Sequence, residues 1–165
     1  MKNMERNMVS LFLMDGEKLL MLHRKGSRIV DGLWIAGCGG HMEKDELNNA
    51  RAAVLREAKE EMGLEEADME GLALRYITLR KAGEEVRQNF YFFARLKKRE
   101  KALFSNEGQL KWCTREEMMQ LPMPFTARFV VEHYFEGGRY TACLYGGVAD
   151  EKQVHFIPME KEDRV

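Results

Sequence analysis

One stretch of this sequence, residues 47–62, constrains the fold more than any other, because it predicts a helix with two distinct faces. Successive helical residues are rotated by about 100°, and apolar residues at that spacing form one face that can pack on a sheet: Leu47, Val54, Ala58 and Met62. Three glutamates spaced i, i+3 and i+4 share an adjoining face: Glu57, Glu60 and Glu61. Gly63 is expected to end the helix as a C-terminal cap.

Short apolar or alternating runs predict the strands that this helix would cover: residues 9–14, 18–23, 33–37, 72–79, 86–96 and 109–113. The turn signals Asp15-Gly16 and Ala82-Gly83 each lie between two of these runs and predict hairpins. Residues 89–94 are apolar almost throughout, which predicts a central strand.

A second helix is expected over residues 126–135, after Pro122 and Pro124 and before Gly137-Gly138. A small tail hairpin is expected across Gly146-Gly147. Strands interleaved with two helices predict a mixed α/β (α+β) fold in which helices pack on a curved sheet. We expect residues 1–165 to form one domain, with a short tail after about residue 136.

The composition narrows the classes of partner. A net charge of −1 gives no support for a surface that binds a nucleic acid duplex, so a small anionic substrate would need local positive charge or metal ions. The first apolar run, residues 9–14, is too short for a signal or membrane segment. The three cysteines, an odd number without metal-ligand spacing, favour reduced thiols in a cytoplasmic protein. Whether the chain forms a homodimer stays open.

The glutamate face has two interpretations. Like charges at these spacings destabilise an exposed helix by about a few tenths of a kcal/mol per pair, and a Glu-rich helix commonly carries a solvated acidic face. Two features favour a site instead. Arg56 lies four residues before Glu60, and Gly39-Gly40 permits a close approach of backbone to a ligand. Clustered carboxylate oxygens are the ligands that Mg²⁺ and Mn²⁺ prefer.

Residues 56–64, Arg-Glu-Ala-Lys-Glu-Glu-Met-Gly-Leu, resemble the core of the Nudix box, which spans about residues 40–64 here. Gly40 and Glu46 match the upstream Gly, five residues and Glu of that box. The chain departs from the pattern between Glu46 and Arg56, where nine residues replace the usual seven. The two extra residues are expected to lengthen the loop or the first helical turn and to leave the glutamate face intact, and they put the usual supporting role of Glu46 in doubt.

The resemblance extends over about residues 9–135 and implies a MutT-like member with a Nudix-type α/β/α sandwich and a mixed curved sheet. It implies hydrolysis of a nucleoside diphosphate linked to another moiety, with Mg²⁺ or Mn²⁺ as cofactor and metal-activated water as nucleophile. The metal ligands that it implies are Gly39, Glu57, Glu60, Glu61 and Glu107. Arg56 would orient the glutamates, and either Glu57 or Glu107 would act as general base.

The identity of the nucleotide-type substrate is not given by the sequence. Trp34 and Phe125 are candidates for stacking on a base, although core packing is the more common role of such residues. Four arginines could contact phosphate, although solvated arginines are common: Arg24, Arg75, Arg80 and Arg87. Of these, Arg24 and Arg87 are the candidates for phosphate contacts.

Two other activities compete with the hydrolase interpretation. Residues 34–41 faintly resemble isopentenyl-diphosphate isomerases, which use a Cys near a Gly-His pair; Cys38 and His41 would be the counterparts. The intact box favours the hydrolase, with Cys38 as a small residue in a tight turn and His41 as a structural turn residue. A nucleotide-binding module without turnover is the third alternative, and the complete carboxylate set argues against it.

Overall fold

The computed structural model describes residues 4–26, 31–98, 103–161 and 164–165. The strands in these parts of the chain are β1 (Met4–Asp15), β2 (Lys18–Arg24), β3 (Trp34–Ala36), β4 (Cys38–His41), β5 (Met69–Ala82), β6 (Glu85–Leu96), β7 (Gly108–Cys113), β8 (Tyr145–Ala149) and β9 (Val154–Pro158). The α-helices are α1 (Ala50–Met62), α2 (Arg115–Met119) and α3 (Phe125–Glu136). None of the helices so described is long and apolar enough to cross a membrane.

The strands form one mixed sheet of nine strands in the order β3-β2-β1-β6-β5-β8-β9, with β4 paired to β1 and β7 paired to β2. The pairs β1–β6 and β5–β8 are parallel, and the other pairs are antiparallel. The prediction that residues 89–94 lie in a central strand is confirmed, because β6 occupies the middle of the sheet. Gly16 has a φ of 59°, which suits the tight turn predicted between β1 and β2.

Alternate residues of β1 point to opposite faces of the sheet, and each face carries its own core. Phe12 packs with Val130 of α3, together with the aromatic residues of β5 and β6. Leu11 and Leu13 pack on the other face with Val54 and Met62 of α1. The helices therefore cover both faces of the sheet, and the predicted sandwich with a mixed sheet is confirmed.

The predicted start of α1 at Leu47 is wrong. The helix begins at Ala50, because the side chain of Asn49 accepts a hydrogen bond from the backbone N–H of Ala52 at 3.0 Å and caps it. Leu47 lies in the preceding turn with 49% of its surface exposed, so it does not belong to the buried stripe. The predicted end is confirmed, since Gly63 has a φ of 64° and its backbone N–H donates hydrogen bonds to carbonyl groups of the last turn.

Two features of the last third of the chain differ from expectation. The tail hairpin exists, but its turn lies at residues 150–153, where Asp150 accepts hydrogen bonds from the backbone N–H groups of Lys152 and Gln153. Gly147 lies inside β8, where a Cβ would come within 2.8 Å of the Phe156 ring. The short helix α2 was not predicted, although Thr114 and Glu117 form a capping box at its start.

Candidate active site

The carboxylates of α1 occupy two environments. Glu57 and Glu61 are both buried, with 8% of their surface exposed, and their carboxyl groups lie close together. The side chain of Glu60 is 58% exposed. The helical register therefore gathers three glutamates on one side of α1, but only two of them are held out of water.

Strand β4 lies directly against the two buried carboxylates. The backbone N–H of Gly39 donates a hydrogen bond to Oε2 of Glu61 at 3.1 Å. A Cβ on Gly40 would lie 2.5 Å from Oε1 of Glu57, and one on Gly39 would lie 2.3 Å from the carbonyl oxygen of Val9. Cys38 and His41 were expected in a turn, but residues 38–41 form a strand paired with β1. At Gly39 and Gly40 only glycine fits between β1 and α1.

Arg56 connects the carboxylates of this region. Its Nη1 atom donates to Oε1 of Glu57 at 2.8 Å and to Oε2 of Glu60 at 3.1 Å. Its Nε and Nη2 atoms donate to the two oxygens of Glu46 at 2.7 and 2.9 Å, and Nη2 also donates to the carbonyl of His41 at 3.1 Å. These charge-assisted bonds raise the pKa of Arg56 and lower the pKa of Glu46.

The two residues inserted in the box leave the contact between Glu46 and Arg56 in place. Glu46 ends a 3₁₀ turn, Lys44–Glu46, and only 7% of its surface is exposed. Residues 47–49 form the loop before α1. Three residues therefore separate Glu46 from the start of α1, and Glu46 still reaches Arg56.

Burial raises the pKa of Glu61 to about 7, and the nearby charge of Glu57 adds to this effect, while the N–H of Gly39 opposes it. Two carboxylates in contact, both out of water, require a proton or a cation between them. The oxygen donors of Glu57 and Glu61 and the adjacent backbone of β4 suit a hard divalent cation. Across the residues that the structure describes, no three His, Cys, Asp or Glu side chains converge on one point, because Glu60 turns to Arg56.

Glu107 lies on the other side of this region, just before β7. Its carboxylate forms an ion pair with Arg24 at the end of β2. The positive charge of Arg24 offsets part of the rise in the pKa of Glu61, so Arg24 acts electrostatically on both acidic groups. Gly108 holds the loop against β2, since a Cβ there would overlap the carbonyl of His23. Arg24 thus connects Glu107 to the buried carboxylates.

A cleft of about 350 Å³ opens on the α3 side of the sheet, next to Gly39 and Gly40. Arg24 and Arg87, the candidates for phosphate contacts, both line it. Arg80, whose residue type also suits phosphate, lines it as well, together with polar and charged residues that the sequence analysis did not single out for substrate binding: Arg6, Ser10, Thr78, Gln88, Asn89 and Tyr91. They come from β1, β5 and β6, and no local motif marks them.

The two aromatic candidates do not line this cleft. Trp34 stacks on His23, with 4.8 Å between the ring centroids. Phe125 packs against Phe129 and lies under the guanidinium of Arg80, 4.5 Å from the ring centroid. Both rings are therefore engaged with other side chains of the protein.

Cys38 and His41, the residues of the isomerase alternative, lie on β4. Cys38 is 1% exposed, and burial next to two carboxylates raises the pKa of its thiol well above the usual range. A thiol in this position is a poor proton donor. His41 accepts a hydrogen bond from Arg6, with 2.8 Å between Nη2 and Nε2, which fits a structural role. Cys113 and Cys143 are also buried and free.

A sequence profile of the NUDIX domain matches residues 4–134 of this chain. No curated protein matches the sequence. The hairpin of β8 and β9 lies beyond the matched residues.

Several solved structures resemble the fold. A MutT protein from Bacillus halodurans is 21% identical with a TM-score of 0.64, and the match covers 94% of this chain and 99% of that one. An Ap4A hydrolase from C. elegans is 17% identical with a TM-score of 0.64, covering 79% and 96%. The dihydroneopterin triphosphate pyrophosphohydrolase of E. coli is 21% identical with a TM-score of 0.60, covering 79% and 93%. The names of these proteins refer to different substrates although their folds are similar, so the similarity in fold does not identify a substrate for this chain.

Proposed function

The chain belongs to the Nudix family, and we propose that it is a MutT-like hydrolase that cleaves the diphosphate linkage of a nucleoside diphosphate joined to another moiety, with Mg²⁺ or Mn²⁺ as cofactor. One observation carries the proposal. The buried carboxylates of Glu57 and Glu61 are in contact behind Gly39 and Gly40, at the edge of a cleft lined by arginines. Carboxylates that suit metal ions thus lie beside arginines that suit phosphate groups.

The proposed metal ligands are oxygen atoms: the carboxylates of Glu57, Glu60 and Glu61, the carbonyl of Gly39 and the carboxylate of Glu107. Glu57 and Glu61 need little movement, since they are already packed together. Glu60 would exchange its bond with Arg56 for the metal, and Glu107 would leave Arg24. A bound cation would offset the repulsion between these carboxylates, which otherwise requires a shared proton.

A divalent cation bound here would neutralise charge on the diphosphate and lower the pKa of a water molecule towards neutrality. Glu57 would accept the proton of that water as it attacks in line, and Glu107 is the second candidate for this role. Arg56 would orient Glu57 and Glu60 through the hydrogen bonds that it already makes. Arg24 would bind oxygens of the diphosphate, and Arg87, further along the cleft, would bind phosphate oxygens elsewhere on the substrate.

We also propose that residues 1–165 form a single Nudix domain, with the hairpin of β8 and β9 as an addition to it. The hairpin extends the sheet through the parallel pairing of β5 and β8, so it belongs to the same layer as the strands of the site. Three free thiols favour a reducing compartment such as the cytoplasm.

A panel of nucleotides tests the hydrolase proposal. Nucleoside triphosphates, ADP-ribose, nucleotide sugars and dinucleoside polyphosphates would each be incubated with the protein and Mg²⁺ or Mn²⁺, and the products separated by chromatography. We expect cleavage at a diphosphate bond in at least one class. The absence of products from every class with either ion would overturn the proposal.

A further inference from the structure

Three arginines form a row across the middle of the sheet. Arg6 of β1 is the direct partner of Arg87 of β6, and Arg87 is in turn the direct partner of Arg80 of β5. Directly opposite residues share a face of the sheet. All three side chains line the cleft on the α3 side.

The row is electrostatically unfavourable without an anion. Like charges directly opposite each other destabilise a sheet. In the described parts of the chain, the ion pairs of these arginines involve one carboxylate, Glu85, which lies 2.9 Å from Nε of Arg87 and 3.7 Å from Nη1 of Arg6. Arg80 instead lies over the ring of Phe125, and Arg6 also donates hydrogen bonds to Nε2 of His41. Three positive charges and one negative charge leave the row with a net charge of +2.

The row lies at a distance from the carboxylate site. Along β1, the residue that pairs with Gly39 is Ser10, four positions after Arg6. At about 3.3 Å per residue, the two positions are about 13 Å apart. The backbone of the Arg6–Arg87–Arg80 row therefore lies about the length of a nucleoside away from the backbone beside the position proposed for the diphosphate.

Polar side chains fill the cleft floor between these two positions. Asn89 and Thr78 form the next row of the sheet after the arginines. The hydroxyl of Ser10 donates to Oδ1 of Asn89 at 3.3 Å, and the buried hydroxyl of Tyr91 is hydrogen-bonded to Asn89 and Thr78. This surface offers hydrogen bonds without charge, as a sugar or a base requires.

We propose that the Arg6–Arg87–Arg80 row binds a second phosphate of the substrate, carried by the nucleoside and separate from the diphosphate that is cleaved. The preferred substrate class is then a nucleoside diphosphate derivative with an additional phosphate on its ribose. This inference rests on the proposed function for the position of the diphosphate. The planar guanidinium groups supply paired N–H donors that suit phosphate oxygens.

Binding of two nucleotides that lack a diphosphate tests the row without any need for turnover. Adenosine 3′,5′-bisphosphate and adenosine 5′-monophosphate differ only in the second phosphate, and their affinities can be measured by calorimetry. We expect the wild-type protein to bind the bisphosphate at least about tenfold more tightly, which corresponds to about 1.4 kcal/mol. Guanosine 3′,5′-bisphosphate and guanosine 5′-monophosphate would be measured in parallel, in case the protein prefers guanine to adenine.

Substitutions on β6 test whether the preference for the bisphosphate depends on the arginine row. Arg87→Gln should lose most of the preference for the bisphosphate and bind the monophosphate as the wild type does, whereas Arg87→Lys should retain part of it. Arg95→Gln is the matched control, because Arg95 lies on the same strand, exposed and outside the cleft. The melting temperature of Arg87→Gln should be unchanged or higher, since a like charge has been removed.

Three results would overturn the inference: equal affinity of the wild type for the two nucleotides of each pair, no binding of any of them, or an equal loss for both nucleotides in Arg87→Gln. Hydrolysis is a separate outcome. If the protein prefers the bisphosphate but cleaves nothing in the nucleotide panel, the arginine site is supported and the proposed function is overturned. If the protein cleaves a nucleotide of the panel but shows no such preference, the proposed function is supported and the arginine site is overturned.

Discussion

The carboxylate of Glu46 and the guanidinium of Arg56 form two parallel hydrogen bonds, 2.7 and 2.9 Å long, across a segment that is two residues longer than in the usual Nudix box. This geometry fixes the plane of the guanidinium group. Since Nη1 of the same group contacts Glu57 and Glu60, the pair also fixes the direction from which Arg56 meets the carboxylate site. Glu46 therefore acts on the site through Arg56.

The substitution Glu46→Gln tests this coupling. It removes one charge from a buried pair and leaves Arg56 with a weaker partner, so we expect the free energy of unfolding to fall by about 1–3 kcal/mol. Turnover of the best panel substrate should fall by at least about tenfold, because Glu57 and Glu60 lose a fixed neighbour. Steady-state kinetics and urea unfolding measure the two effects.

Glu43→Gln is the control for this change. Glu43 also faces Arg56, but the distance to Nε is 3.8 Å and the side chain is 62% exposed, so an exposed pair of this kind contributes little. Equal effects of the two substitutions on turnover would contradict a positioning role for Glu46.

The substitution Gly40→Ala tests the packing of β4 on α1. The new Cβ would lie 2.5 Å from Oε1 of Glu57, so the carboxylate must move. We expect turnover to fall by at least about tenfold, because a displacement of about 1 Å near a reacting centre can cost about a hundredfold in rate. Gly137→Ala, where nothing lies within 4 Å of the added Cβ, should leave turnover unchanged. Unimpaired activity of Gly40→Ala would show that Glu57 is not held in place by this contact.

Local signals in the sequence predicted parts of the fold well. Gly63 ends α1 where expected, because a glycine in the left-handed region is a signal contained in one residue. The start of α1 was placed three residues early, since Leu47 has helical spacing but Asn49 caps the chain after it. Gly147 was assigned to a turn because glycine permits turns, and it proved to be a site of close packing with Phe156.

The two halves of the site differ in what sequence can reveal. Glu57 and Glu61 are four residues apart on one helix, so their proximity follows from helical geometry. Arg6 and Arg87 are direct neighbours only through the parallel pairing of β1 with β6. A periodic pattern identifies a strand but gives neither its neighbour nor its register, so the arginine row could not be predicted.

Metal dependence gives a further prediction. Activity should be lost after exhaustive treatment with EDTA and should return with Mg²⁺ or Mn²⁺, because the proposed ligands are oxygens. Added Mg²⁺ should also raise the melting temperature of the wild type, since a cation that binds only the folded state stabilises it. Full turnover in the presence of excess EDTA would rule out a catalytic metal.

The turn of the tail hairpin gives a prediction on pH. The pKa of Asp150 is lowered to about 2 by a hydrogen bond with His155 and by the backbone N–H groups of Lys152 and Gln153. A carboxyl group with a lowered pKa in the folded state contributes stability above its ordinary pKa and loses it as the pH falls. The melting temperature of Asp150→Asn should therefore lie slightly below that of the wild type at neutral pH, and the difference should vanish near about pH 2. A difference that grows on acidification would contradict this assignment.

Glu60 and Glu132 allow a matched comparison of a proposed metal ligand with an ordinary surface carboxylate. Arg56 and Glu60 form an i,i+4 ion pair at 3.1 Å on α1, and Arg128 and Glu132 form an i,i+4 pair at 3.2 Å on α3. Such pairs on exposed helix surfaces contribute only about 0.3–0.5 kcal/mol to stability. Neither Glu60→Gln nor Glu132→Gln should therefore alter the melting temperature by more than a small amount in the absence of metal.

The two substitutions should differ in catalysis. If Glu60 exchanges Arg56 for a metal ion during turnover, Glu60→Gln removes a contact that stabilises developing charge, at a cost of several kcal/mol in the barrier. Because each 1.4 kcal/mol is about tenfold in rate, we expect a fall of at least about a hundredfold, while Glu132→Gln retains wild-type turnover. The stabilisation of Glu60→Gln by Mg²⁺ should shrink as well, in proportion to the lost affinity. A Glu60→Gln protein with near wild-type turnover would show that Glu60 is an ordinary surface residue of the helix. The metal ligands would then have to come from Glu57, Glu61 and the backbone of β4.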